Sequence, residues 1–408
     1  MDITLLFASR MTRLFSYGFL SIVLALYLSQ IGLNEESIGL LFTLTLFGDA
    51  GVSLLITTSA DKIGRRRMLL LGAALIILAG VVFVLTRNLL LLMIAAIIGV
   101  ISPSGGEIGP FLPMEQAAIS QLIPNERRTQ LFAWYNLVGS FATALGALGG
   151  GLLAQTLQES GFSPLATYRI ILIGYAISGV VLCFIFLGLS PSVEVVAPPL
   201  TAHTFGLHRS RGVVMRLCAL FALDSFAGGF ILQSMLAYWF HIKFGIDVGT
   251  IGRIFFGANL LAGISALLAA PIAARIGLVN TMVFTHLPSN VLLCLVPLMP
   301  NLSSTVFLLL LRFSISQMDI PTRQSYTMAV VAPDERSAAA GVTTIARSVV
   351  GALSPMLCGM LLSNPLWMGA PFFVAGGLKI IYDLLLYSRF KQIIPPEEAP
   401  ENRGNAAC

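Results

Sequence analysis

Charge is scarce in this chain. Asp, Glu, Lys and Arg make up 11% of its 408 residues, against about 25% in soluble domains. With 56% hydrophobic residues there is too little polar surface to face water, which excludes a soluble globular protein and leaves an integral membrane one. No stretch is long and polar enough for a sizeable soluble domain. The five cysteines form no CxxC pair and no Cys/His spacing, so neither a disulfide framework nor a metal centre is indicated. The phosphate-cradling pattern Gly-x-x-x-x-Gly-Lys-Ser/Thr does not occur, so ATP does not drive the protein directly. No small-x-small cleavage site follows the apolar run behind Arg10 and Arg13, and a retained first helix is expected. The net charge of +5 needs no nucleic-acid partner, because the basic residues fall in alternate loops. No cofactor is implied.

What the chain has in abundance is apolar runs of about 20 residues, the length that crosses a bilayer's hydrocarbon core as a helix. Spans are expected near 9–30, 37–59, 68–86, 89–112, 130–156 and 168–189, then near 213–241, 249–272, 279–299, 303–328, 338–363 and 368–388. Basic residues gather on one side of them: Arg13, the cluster at Asp61, Arg127, Arg128, Arg209, Arg211, Arg275, Arg336, Arg389 and Lys391. The positive-inside rule makes that side cytoplasmic, with both termini on it, in a cell (inner) membrane. Between the sixth and seventh spans, Pro191, Pro198 and Pro199 interrupt the pattern and read as a linker. The expected organisation is an all-α membrane protein: a six-helix bundle over 1–189, a cytoplasmic linker 190–212, a second bundle over 213–390 and a tail 391–408.

The two bundles repeat. Ile123-Pro124-Asn125-Glu126-Arg127 resembles Ala332-Pro333-Asp334-Glu335-Arg336 at an offset of 209, Asp61-Lys62-Ile63-Gly64 resembles Ala274-Arg275-Ile276-Gly277 at 213, and Pro113 and Gln116 fall on Pro321 and Gln324 at 208. Parallel repeats of this kind place a binding site near the bilayer midplane between the halves. The loop Asp61-Lys62-Ile63-Gly64-Arg65-Arg66, between the second and third spans, resembles the signature of the major facilitator superfamily, although Thr57 stands where that family has Gly and Ser59 where it often has Leu. The resemblance covers essentially the whole chain. It implies twelve helices in two pseudo-symmetric six-helix bundles, alternating access, and the first, fourth, seventh and tenth helices lining a central cavity.

Charges inside spans are costly, about 2.5–3.5 kcal/mol each on insertion scales, and mark partners or a wet cavity. Asp49 lies in the second span, Glu107 and Glu115 in the fourth, Asp224 in the seventh, Arg312, Asp319 and Arg323 in the tenth, Arg347 in the eleventh, and Lys379 and Asp383 in the twelfth. Arg312, Ser316 and Asp319 share a helix face, and Asp319 and Arg323 are spaced to pair. An Asp49–Arg347 pair is conceivable. Ser102-Pro103-Ser104-Gly105-Gly106-Glu107-Ile108-Gly109-Pro110 should break the fourth span. His286 reads as a satisfied interior histidine. Trp134, Tyr135, Tyr238 and Trp239 read as an interfacial belt.

The expected function is secondary active transport of a small solute, proton-coupled, by a monomer in contact with lipid, and not enzymatic catalysis. Arg312, Asp319, Glu107, Asp224 and Asp49 form the expected substrate and proton pathway, with Asp319 or Glu107 carrying the proton. Asp61, Gly64, Arg65, Arg66 and Arg347 form the expected conformational latch. Gly146-Ala147-Leu148-Gly149-Gly150-Gly151 resembles the Gly-Pro-x-x-Gly-Gly of family antiporters with Ala147 in place of Pro, and favours efflux over a proton-coupled uptake symporter. No Arg stands between Asn88 and Gly109, where the family's exporters often carry one. A non-transporting sensor or assembly factor would need an exposed output segment, and these loops are too short for one.

Overall fold

The computed structural model describes residues 1–194, 209–332 and 335–392, without the side chains of Asp61, residues 125–130 and Ser337. Seventeen α-helices are described: α1 (Asp2–Ser21), α2 (Leu24–Gln30), α3 (Glu35–Ile63), α4 (Arg65–Leu85), α5 (Leu89–Ile98), α6 (Phe111–Leu122), α7 (Asn125–Glu159), α8 (Pro164–Leu187), α9 (Arg211–Gly229), α10 (Gln233–Phe244), α11 (Val248–Ile276), α12 (Leu278–Leu295), α13 (Leu302–Phe313), α14 (Asp319–Val330), α15 (Arg336–Gly351), α16 (Ser354–Leu362) and α17 (Ala370–Phe390).

Among the described residues nine stretches are long and apolar enough to cross a membrane, and α1 with α2, bent by 43°, makes ten. The remaining two of the twelve expected spans are each broken in two: α5 and α6 around residues 99–110, α13 and α14 around residues 314–318. The seventh span also divides, between α9 and α10. Breaks therefore fall in spans one, four, seven and ten, the positions that the sequence repeat makes equivalent in pairs, and also in span eleven, between α15 and α16. A broken backbone inside a bilayer is tolerated only where protein or a wet cavity satisfies its freed polar groups. In the fourth span Tyr175 donates to the Val100 carbonyl at 2.5 Å, the Ser102 hydroxyl to the Gly106 carbonyl at 2.8 Å, and the Gly109 N–H reaches Asp49 at 2.7 Å. The break expected from the prolines and glycines is thus present and its polar groups are met.

The repeat is visible in local geometry. Gly64 ends α3 at φ 114° and Gly277 ends α11 at φ 89°, each donating its N–H to a carbonyl four residues back. Both turns need a positive φ, which only Gly adopts without strain. Asn34, Asn88, Ser163 and Asn301 cap the helices that follow them with side-chain oxygens.

The chain condenses into two compact units. Unit 1 comprises Met1–Leu200, Leu232–Leu260 and Pro355–Met368; unit 2 comprises Thr201–Ile231, Leu261–Ser354 and Gly369–Cys408. Unit 1 therefore holds α10, the start of α11 and α16 beside the first six spans. The described ends of the expected linker are each tied down. At 190–194, the Glu194 carboxylate accepts the N–H groups of Arg65 and Arg66 at 2.6 and 3.2 Å, while Ser190 donates to Asp2. At 209–210, the Glu335 carboxylate accepts the N–H groups of Arg209 and Ser210 at 2.7 and 2.9 Å.

Candidate functional site

Unit 1 builds its charge cluster on α1. Ser9, Arg10 and Arg13 stand on the face that meets the broken fourth span. Arg13 grips Glu115 with two parallel bonds, Nη1 at 2.9 Å and Nη2 at 2.8 Å, and its Nε reaches Glu107 at 2.8 Å. Arg10 holds the other Glu107 oxygen at 2.9 Å and donates to Asn136 at 3.1 Å. Ser9 and Tyr135 donate to Glu115 as well. The side chains of Arg13 and Glu115 are both 0% exposed. The fork geometry and the full set of donors offset the desolvation that an isolated buried charge would suffer.

Arg10 and Arg13 are the functional residues that sequence reasoning missed. The sequence counts Arg13 among the basic residues of the cytoplasmic side; in the structure it is wholly buried on α1. The missed signal is their spacing of three, which puts two cations on one face of an apolar helix, together with two acids in the fourth span that needed counter-charges. Tyr135 and Trp239, expected in an interfacial belt, are fully buried, and Tyr238 nearly so. Tyr135 donates to Glu115, and Trp239 donates to the Met368 carbonyl at 3.0 Å.

Asp49, halfway along α3, accepts from the Gly109 N–H at 2.7 Å and from Ser53 at 3.3 Å. No ion pair engages it among the described residues. Its carboxylate pins the second span to the break in the fourth.

Unit 2 carries the second cluster. Asp224 on α9 receives Lys379 at 2.5 Å and Arg323 at 2.9 Å, with His286 4.0 Å away. Arg323 also pairs with Asp319 at 3.1 Å, as the spacing of four requires. His286 and Asn290 bind the two oxygens of Asp383 at 2.8 and 2.9 Å, which satisfies the interior histidine. Arg347 is half-buried among Arg323, Asp224 and Asp319. Asp49 lies in unit 1 and Arg347 in unit 2.

The two clusters are related by the repeat with their signs exchanged. Arg13 and Asp224 lie at an offset of 211, Glu115 and Arg323 at 208. Each unit thus braces the first and fourth spans of its repeat with buried ion pairs, cation on the first span in one unit and on the fourth in the other.

Of the two cations in unit 2 that no ion pair engages among the described residues, Arg312 at the end of α13 and Arg347 on α15, Arg312 is the more enclosed. It is 5% exposed, its Nε has no hydrogen-bond partner, and no ion pair engages it among the described residues. Its guanidinium carbon lies 4.9 Å from the Phe313 ring centroid, a cation–π contact that replaces only part of the lost hydration.

At the loop after the second span, Arg66 donates to the Phe186 and Leu187 carbonyls at the end of α8, at 3.1 and 2.5 Å. Arg65 reaches Gln121 at 3.1 Å and the Val193 carbonyl at 3.3 Å. These contacts join the ends of the third, fourth and sixth spans, a geometry suited to a latch. The Asp61 side chain lies outside the described residues. The glycines of the fifth span are used for close packing: a Cβ on Gly146 would lie 2.0 Å from the Phe15 carbonyl oxygen and one on Gly150 2.5 Å from that of Phe19. That use is neutral to the direction of transport.

At the opposite end, unit 1 is sealed by contacts between the first repeat and α10, α11 and α16. Ser234 donates to the carbonyls of Ser21 and Pro103, by Oγ at 2.6 Å and N–H at 3.0 Å respectively. Gln233 donates to Ser21 at 2.8 Å, Tyr238 to Glu35 at 2.7 Å, and Arg253 to Gln155 at 2.7 Å. Two crossings set glycine against glycine, Gly151 on Gly252 and Gly39 on Gly359, so close that an added Cβ would meet backbone atoms within 3.0 Å.

This architecture has relatives. The chain is 32% identical over 422 residues to an uncharacterized membrane protein of Saccharomyces cerevisiae, YJR124C, covering 95% of this chain and 94% of that protein. Among solved structures it is similar to a D-xylose-proton symporter, with TM-score 0.75, 16% identity and coverage of 96% and 98% of the two chains. It is also similar to the nucleoside transporter NupG, with TM-score 0.72, 14% identity and coverage of 96% and 99%. The Major Facilitator Superfamily model matches residues 6–355. Broken cavity-type spans, a duplicated half and this match together mean that the chain belongs to the Major Facilitator Superfamily of secondary transporters.

Proposed function

We propose that the protein is a proton-coupled transporter of a small solute, working by alternating access between two six-helix halves, 1–189 and 213–390, with both termini cytoplasmic. The observation that carries the coupling is the difference between Asp49 and the other acids. Glu107, Glu115, Asp224 and Asp319 are each held by a buried guanidinium or ammonium group, and Asp383 by His286 and Asn290. A carboxylate held in that way has its counter-charge already. This argues against Glu107 and Asp319, the carriers expected from the sequence. Asp49 has only a backbone N–H and a hydroxyl, and a proton supplies the missing positive charge. Because Asp49 ties the second span to the break in the fourth, its protonation would loosen a contact between two moving parts. The seal around Ser234 and Tyr238 would be the gate on the non-cytoplasmic side, and Arg65 and Arg66 part of the cytoplasmic latch.

The test is transport into proteoliposomes under an imposed pH gradient. Asp49→Asn keeps an oxygen to accept from Gly109 but cannot change charge. Gradient-driven accumulation should fall at least about tenfold, equivalent to ~1.4 kcal/mol of lost coupling, while exchange of solute down its own gradient persists. Accumulation that ignores the pH gradient in the parent protein, or that survives in Asp49→Asn, would overturn this assignment. The sign of the flux reads the direction, with efflux the arm to run first.

A further inference from the structure

We propose that Arg312 is the docking group for an anionic solute, a small carboxylate or phosphate compound. The proposal rests on the transporter reading and adds the charge class of its substrate. The argument begins with the counter-charges. In unit 1, Arg10 and Arg13 are matched by Glu107 and Glu115. In unit 2, Asp224 is taken by Lys379 and Arg323, Asp319 by Arg323, and Asp383 by His286 and Asn290. Four cations, Arg312, Arg323, Arg347 and Lys379, stand against three carboxylates; Arg312 and Arg347 are left without an ion pair among the described residues, and Arg312 is the more deeply buried of the two, while the acid near it, Asp319, is already held by Arg323.

A buried guanidinium without a counter-ion is unfavourable unless something else supplies the charge. Its planar fork matches a carboxylate or phosphate with two parallel bonds. Ser316, also buried, lies in the break that follows α13. A cationic solute would add to the excess of positive charge here, and a neutral one would leave it uncompensated.

Depth decides between a soluble anion and a lipid headgroup. Arg312 is ten residues into α13, which begins at Leu302. At about 1.5 Å per residue that is ~15 Å, half the thickness of the hydrocarbon core. Headgroup phosphates do not reach the midplane, so the anion is the solute.

Two measurements test this, the second independent of knowing the substrate. Proteoliposomes carrying the parent protein, Arg312→Met or Arg312→Lys are screened for flux of lactate, succinate, glucose 6-phosphate, choline and glucose. Flux should be confined to the first three, fall at least about tenfold in Arg312→Met, and return in part in Arg312→Lys. Flux of choline or glucose that persists in Arg312→Met overturns the proposal. In parallel, thermal unfolding of the purified, solute-free protein is compared. Removing an uncompensated buried charge should raise the melting temperature of Arg312→Met by roughly 2 °C or more. A fall would mean that Arg312 braces the fold, and the proposal would be wrong. If no solute of any class moves, it is the transporter reading that fails, and the melting temperature still judges Arg312.

Discussion

Glu115→Gln should destabilise the protein by about 3 kcal/mol, because it leaves the buried Arg13 guanidinium with Glu107 alone, a carboxylate it shares with Arg10. Arg13 is 0% exposed and spends two of its donors on Glu115. Glutamine keeps the shape and one acceptor, so the loss isolates charge from volume. Ser9 and Tyr135, which donate to the same carboxylate, lose strength as well. The double change Arg13→Gln with Glu115→Gln should recover much of the loss, since Arg10 continues to hold Glu107. Thermal unfolding in detergent across the single and double variants measures the coupling. If Glu115→Gln costs less than about 1 kcal/mol, the pair behaves as a solvated surface bridge and its description as a buried brace is wrong. The contrast with Arg312→Met is the sharper check, because the same technique should move in opposite directions at two buried arginines.

The second large effect belongs to the glycine crossings. Gly151→Val or Gly39→Val places carbon where Gly252, Val248, Gly359 and Pro355 already stand, with the nearest backbone atoms at 2.5 to 3.0 Å. Packed backbone does not deform by that much, so the seal has to open. Ser234, 0% exposed at the centre of the seal, reports on it. In a chain with its five native cysteines replaced, Ser234→Cys should react slowly with a membrane-impermeant maleimide from the non-cytoplasmic side. Either valine should accelerate that reaction at least about tenfold, a population shift of ~1.4 kcal/mol. Unchanged labelling would show that these crossings do not hold the gate shut.

Much of the architecture was legible in the chain. Asp61-Lys62-Ile63-Gly64 and its counterpart ending at Gly277 carry the repeat, and both glycines adopt the positive φ that their positions demand. The fourth span's prolines and glycines announced its break. The tenth span gave less warning. Its break over 314–318 has no proline, and only the interruption by Ser314, Ser316 and Gln317 hints at it. Spacing alone paired Asp319 with Arg323, since both lie on one helix. Pairs between different helices were out of reach. Asp224 had several cations to choose from, and nothing local selects Lys379 and Arg323. Arg13 counts with the cytoplasmic charges because it stands near the end of the first span, and only packing of α1 against α6 shows that it is buried.

The amino-acid order by itself determined the membrane class, the duplication and the spans in which charge is embedded, because hydrophobic length, positive-φ glycine and i, i+4 spacing act within a few turns of one helix. Which buried charge neutralises which was decided by tertiary structure alone. Counter-charges meet across helices nearly a hundred residues apart, and their registry is set by how whole spans pack. That is why the same set of arginines and acids, equivocal along the chain, resolves in three dimensions into two sign-exchanged braces, with Asp49 and two arginines, Arg312 and Arg347, outside any ion pair among the described residues.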